Sequence, residues 1–190
     1  MKDWLNNYMK GYKKALASLP MDAVYDLIMK FAKANRGKKQ IFVFGNGGSA
    51  ANASHFVTDM AKGASDKLAN RFKCLSLNEH MGLITAISND YSYRDIFKKQ
   101  LENFASEGDM VFTMSVSGNS ANLVEAVNWA KNNGLHTIAL VGGNKGQLAE
   151  IADDVIIVDS LHYGHVEDIH MLICHMIAYA FMENPEISNY

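Results

Sequence analysis

The chain has 190 residues, 48% of them hydrophobic, with 18 basic and 20 acidic side chains and a formal net charge of −2. That length suits one domain with a substantial core, and the small negative charge gives no broad electrostatic basis for binding nucleic acid. No run reaches the roughly 20 apolar residues that span a bilayer, and the N-terminus lacks the apolar segment of a signal peptide, so a cytoplasmic protein is expected.

Residues from about 2 to 35 carry apolar positions at helical spacing, interrupted by Pro20, which is placed to open a second helix near Met21. Leu5, Tyr8, Met9, Tyr12, Leu16 and Leu19 form a wide stripe on the first helix. Such a stripe either docks on a partner subunit or packs on the chain's own core. Beyond Lys39 strands and helices alternate, with strands near 40–45, 72–77, 110–115, 137–142 and 154–158 and helices near 49–63, 80–87, 120–133, 146–151 and 165–183. Alternation of this kind predicts an α/β fold with a parallel sheet flanked by helices. The division expected is one domain over 1–190, with leading helices in 1–35 and an α/β core in 36–183. Cys74 and Cys174 both have apolar neighbours and are expected as buried, reduced thiols.

Two turns stand out. Gly45-Asn46-Gly47-Gly48-Ser49 and Ser115-Val116-Ser117-Gly118-Asn119-Ser120 each follow a continuous apolar run and precede a helical pattern. A helix N-terminus offers unpaired N–H groups and partial positive charge, glycines let the backbone approach an anion, and serine hydroxyls add donors. Neither turn has the Gly-Lys-Ser/Thr ending that grips a nucleoside triphosphate, so a sugar phosphate is the ligand these turns suggest. In a parallel sheet both turns fall beyond the carboxyl ends of strands, where ligands bind.

His55 and Asp59 are four residues apart and share a helix face. His162, His165, Glu167, Asp168, His170 and His175 crowd into fourteen residues near the C-terminus. On one ideal helix Glu167 and His175 lie roughly 80° apart around the axis and about 12 Å apart along it. His55, Asp59, Glu167 and His175 would make a four-ligand N/O set suited to zinc or another first-row divalent ion. The same residues could equally pair with neighbouring side chains or cap helix ends without any metal.

Taken together and in order, Gly45-Asn46-Gly47-Gly48-Ser49-Ala50-Ala51, His55-Phe56, Ser88-Asn89-Asp90, Ser115 to Ser120, and Glu167-Asp168-Ile169-His170 followed by His175 resemble the phosphoheptose isomerase family of sugar isomerase (SIS) domain proteins. The likeness runs from the N-terminal helices to about Met182. It implies a five-stranded parallel sheet, a homotetramer with interfacial active sites, and conversion of sedoheptulose 7-phosphate to glycero-manno-heptose 7-phosphate for surface heptose synthesis. It also implies zinc on His55, Asp59, Glu167 and His175, with Asp59 and His175 catalytic. Ser49, Ser115, Ser117 and Ser120 match positions that hold phosphate or sugar oxygens. Asn46 and Asp90 match sugar contacts, and Gly47 and Asn119 complete the two binding turns. The family usually has glutamate where Asp59 stands and glutamine where Glu167 stands. Gly63, Val116 and Tyr163-Gly164-His165 also depart from its pattern, so the sugar contacts are altered. An isomerase of another sugar phosphate and a non-catalytic phosphosugar sensor or adapter remain as alternatives.

Overall fold

The apolar run after Lys39 forms strand β1 (Gln40–Gly45) of the computed structural model, which describes residues 1–189. Its side chains alternate between two cores, Ile41 and Val43 entering one and Phe42 and Phe44 the other. A strand covered on both faces has no position for a solvated side chain, which is why its sequence reads as continuously apolar.

In chain order, α1 (Lys2–Ala17) and α2 (Met21–Arg36) precede β1. Then come α3 (Gly48–Thr58), β2 (Lys73–Ser76), α4 (Met81–Asp90), α5 (Lys98–Phe104), β3 (Met110–Ser115), α6 (Ala121–Asn132), β4 (His136–Gly142), α7 (Leu148–Ile151), β5 (Asp154–Val158) and α8 (Tyr163–Glu183). The strands form one sheet in the order β2-β1-β3-β4-β5, with every neighbouring pair parallel. The five strands and two leading helices match expectation. Helix α5 was not expected, because seven residues display too few turns for helical periodicity to emerge. The helix expected over 49–63 ends early: after Thr58 the chain widens into a π-helical turn, Asp59–Ala64, followed by a 3₁₀ turn, Ser65–Lys67.

On one face of the sheet α2, α3 and α8 bury Phe31, Phe56 and Phe112, whose rings meet at centroid distances of 5.2–5.6 Å. On the other, Phe44 of β1 stacks on Phe97 at 4.8 Å. Such aromatic pairs each add about 0.5–1.5 kcal/mol beyond the area they bury. The stripe on α1 divides. Tyr12, Leu16 and Leu19 pack against the core, whereas Trp4, Leu5 and Met9 are 58%, 50% and 48% exposed. The core-packing reading therefore holds for one half of the stripe, and the other half is left exposed. Cys174 is buried against the Met114 sulfur at 3.7 Å, and burial raises the pKa of both thiols, so neither carries thiolate character near neutrality.

His170 sits inside this core with no exposed surface and no hydrogen-bond partner on either ring nitrogen. Burial pulls its pKa down to about 4. Because the folded value lies below the ordinary 6.5, the unfolded chain takes the proton first as pH falls. Stability is complete above about 6.5 and drains away towards pH 4. Urea titrations should show the unfolding free energy falling by about 3 kcal/mol across that interval. The His170 C2 proton should keep its neutral NMR shift down to about pH 5; an ordinary titration midpoint would contradict the burial argument.

Candidate active site

The strand order reverses between β1 and β3, which lie side by side although β2 separates them in sequence. In open α/β sheets this switch point is where ligands bind, outside the carboxyl ends of the strands. Register pairs Gly45 with Met114, so the two serine-glycine turns emerge next to each other. The first runs into α3 and the second into α6, and neither helix start is closed by a side-chain cap. Two sets of helix N-terminal N–H groups are thus left available at one place.

Between the turns lies a small cavity of about 90 Å³, lined by Ser49, Ser115, Ser117 and Ser120 with Asn46, Tyr163 and Glu167. It holds about three water volumes and opens to solvent. Ser115 Oγ accepts the Gly118 N–H at 3.1 Å and Ser117 Oγ accepts the Asn119 N–H at 3.2 Å. Each hydroxyl accepts one N–H of the turn with one of its two lone pairs, which leaves its proton free to be donated. Gly118 has φ +65°, and a Cβ there would lie 1.9 Å from the Lys145 carbonyl, so no side chain fits between the turn and the loop behind it.

Glu167 stands in this cavity and not with the histidines. Its carboxylate lies over Gly48 at the start of α3, so close that a Cβ on Gly48 would be 2.5 Å from its oxygen. Asn52 holds that stretch of α8 by donating to the Glu167 carbonyl at 3.0 Å. Helix α8 is regular from Tyr163 onwards, which keeps Glu167 and His175 on different turns.

His55, Asp59 and His175 do converge, with their ligand atoms all within 4.8 Å of one another. Asp59 Oδ2 is 3.5 Å from His55 Nε2 and 3.7 Å from His175 Nε2. It is buried and has no hydrogen-bond partner. A carboxylate oxygen left unpaired between two imidazoles is costly unless a cation completes it. Ligand atoms about 2.1 Å from a tetrahedral ion stand about 3.4 Å apart, close to the separations found, so these three residues fit a divalent ion. The sequence neighbours follow from local structure. His55 lies in the last turn of α3, and Asp59 opens the π-helical turn one step on. Turns of this kind are frequent at functional sites.

Other expected site residues are placed elsewhere. Asp90 is exposed at the end of α4 and accepts from Asn89 Nδ2 at 2.8 Å. Asn119 is exposed and braces the second turn, its Oδ1 accepting the Gln147 N–H at 3.0 Å. Gly47, with φ +55°, caps α3. In the C-terminal cluster, His162 caps α8 and stacks on His165, which packs against Tyr8 with ring centroids 4.4 Å apart. Asp168 is exposed. Gly63 is close-packed, since a Cβ would lie 2.2 Å from Met182 Cε.

Sequence reasoning missed two residues here. Asn46 and Asn122 exchange reciprocal amide hydrogen bonds at 2.9 Å, and Tyr93 donates its hydroxyl to Asn46 Oδ1 at 3.0 Å. The first turn, α6 and the segment after α4 are thereby tied together. Asn122 and Tyr93 belong to no Ser/Gly motif, and only the buried polar position at the start of α6 hinted at the first of them.

A family model described as the SIS domain matches residues 5–142. The chain belongs to the SIS-domain family. It is 38% identical over 170 residues, covering 90% of this chain and 93% of the relative, to a protein of Thermoplasma acidophilum named a probable phosphoheptose isomerase. With the phosphoheptose isomerase of Sulfurimonas denitrificans it shares 38% identity over 142 residues, 75% of this chain and 72% of that one. The solved phosphoheptose isomerase of Francisella tularensis superposes with a TM-score of 0.88 at 26% identity, covering 96% of this chain and 98% of the other. That of Neisseria gonorrhoeae gives 0.85 at 26%, covering 96% of both.

Zinc titrated into the metal-free protein should bind at the three-residue centre. His175→Ala should weaken that binding by more than the roughly 10–100-fold that loss of a supporting partner typically brings. Unchanged affinity would separate these residues from any ion. Gly48→Ala must displace the Glu167 carboxylate; a loss of about 1 kcal/mol would lower the melting temperature by about 2–4 °C, readable by calorimetry.

Proposed function

We propose that this protein interconverts sedoheptulose 7-phosphate and glycero-manno-heptose 7-phosphate, an aldose–ketose isomerisation, using zinc held by His55, Asp59 and His175. The observation that carries the reading is the placement of a serine-lined cavity and of a carboxylate flanked by two imidazoles at the two ends of one helix, α3. The names and extent of the similar phosphoheptose isomerases support it. Glu167, at the edge of the anion cavity and away from the three-residue centre, contacts the sugar.

In the reaction the serine turns anchor the 7-phosphate, directing the other end of the sugar towards Asp59. Asp59 takes a proton from C1 of the ketose, giving an enediol, and returns it to C2. His175 passes a proton between the oxygens on C1 and C2, so the carbonyl moves from C2 to C1 and no oxidant or reductant is consumed. A bound zinc ion supplies Lewis-acid stabilisation to the developing enediolate oxygen. The two side chains divide the work of base and acid, as general acid–base catalysis at neutral pH requires. Asp59 is shorter by one methylene than the glutamate usual in the family, a difference of about 1.5 Å, and geometry at that scale alters turnover.

The exposed Trp4, Leu5 and Met9 on α1 support assembly into a homotetramer, since an apolar helix face of this kind is otherwise unfavourable in water. Among the described residues no helix is long and apolar enough to cross a membrane. A cytoplasmic location is proposed separately, on the ground that phosphorylated sugars are made there.

An NMR time course with sedoheptulose 7-phosphate should show an aldoheptose 7-phosphate forming, and chelation should stop it. Asp59→Asn should lower turnover by at least a hundredfold, within the usual ~10²–10⁴-fold contribution of a general base, while the phosphosugar still binds. Turnover of a hexose or pentose phosphate in place of the heptose would reassign the substrate to the altered positions Val116, Tyr163 and Glu167.

A further inference from the structure

Among the described residues that line the serine cavity, Glu167 is the one charged side chain, and no lysine or arginine stands beside it there. Its carboxylate joins no salt bridge among the described residues. The hydrogen bond that Asn52 donates to residue 167 goes to the backbone carbonyl, not to the carboxylate. At the start of α3, Ala50 and Ala51 donate their N–H groups back to Asn46 and Gly47, and those of Gly48 and Ser49 find no backbone acceptor among the described residues. The carboxylate oxygens lie over the first of these two, 2.5 and 2.6 Å from where a Cβ on Gly48 would stand.

A carboxylate beside a helix N-terminus is favourable in itself, which accounts for where Glu167 rests. It does not account for a negative charge in the wall of a cavity where Ser115 and Ser117 keep their protons free to donate. An anion arriving there meets these donors and, with them, a like charge that no cation of the wall offsets.

We propose that Glu167 is a specificity-determining residue: its carboxylate refuses bare tetrahedral dianions, inorganic phosphate and sulfate, and admits a phosphorylated sugar, whose hydroxyls it accepts. The proposal rests on the reading of the serine cavity as the phosphate end of a sugar phosphate site. Helix N-termini and hydroxyls bind any phosphoryl group, so donors alone do not separate the substrate from free phosphate. A repulsive element does. To a bare dianion the carboxylate offers only repulsion. To a phosphosugar it also offers hydrogen bonds from the sugar hydroxyls, charge-assisted and therefore roughly twice as strong as neutral ones, which offset the repulsion.

Calorimetric titration of the full chain and of its Glu167→Gln variant, with sulfate and with sedoheptulose 7-phosphate as probes, tests this. Sulfate keeps its double charge throughout the neutral range, so no protonation of that probe enters the comparison. Glutamine matches glutamate in size and in helix propensity, so α8 remains folded in this variant, and circular dichroism checks it. Sulfate should bind the variant more tightly than the unaltered protein by about tenfold or more. The phosphosugar should gain little, so its advantage over sulfate narrows by nearly the same factor. Adding Ser117→Ala and Ser120→Ala to Glu167→Gln should abolish the gain. The proposal is overturned if sulfate binds Glu167→Gln no more tightly than the unaltered protein, or if the phosphosugar gains as much as sulfate. Survival of the gain without the two serines would equally overturn it, by placing the anion outside the cavity. Failure of the sugar phosphate reading looks different: neither protein then binds sedoheptulose 7-phosphate, whatever sulfate does, and the discrimination falls with it.

Discussion

Parallel pairing of β1 with β3 is the constraint from which the site follows. Two strands far apart in sequence run in the same direction and in one register, so the turns that leave them open on the same edge of the sheet. Had β1 and β3 been antiparallel, the two serine-glycine turns would sit at opposite ends and no shared anion cavity could form. The pairing itself rests on burial. Continuous apolar side chains on both strands are satisfied only in the middle of a sheet covered on both faces.

Within that frame the polar chemistry divides by helix. The start of α3 and the start of α6 bring backbone N–H groups and serine hydroxyls that suit an anion to one cavity. The end of α3 and the middle of α8 contribute the carboxylate and imidazoles that suit a cation. A single short helix, α3, links the two, its N-terminus at the phosphoryl cavity and its C-terminus at Asp59. The helix is eleven residues long, about 16 Å along its axis at 1.5 Å per residue.

Buried polar atoms show where folding has left interactions open. Asp59 Oδ2 lies buried without a hydrogen bond, and the imidazoles on either side are too distant to complete it. Two asparagines of the site are, by contrast, engaged: Asn46 is held by Asn122 and Tyr93, and Asn119 by Gln147. The contrast separates residues that support the site from those left free to act.

By itself the sequence determined the parallel α/β architecture, the two serine-glycine turns and the pairing of His55 with Asp59, because these depend on local periodicity and on residues close along the chain. It also carried the family resemblance, through short motifs in fixed order. It could not show that Glu167 leaves the other three residues and lies over Gly48, since that depends on how far α8 extends before it meets α3. Nor could it show that His162, His165 and His170 are capping and packing residues while His175 faces Asp59. Histidines of one helix look alike in sequence, and only the direction in which the folded helix turns each ring decides between solvent, core and reaction centre. Asn122 and Tyr93 were hidden for the same reason: side chains from distant segments become neighbours only after the sheet has closed and the helices have packed.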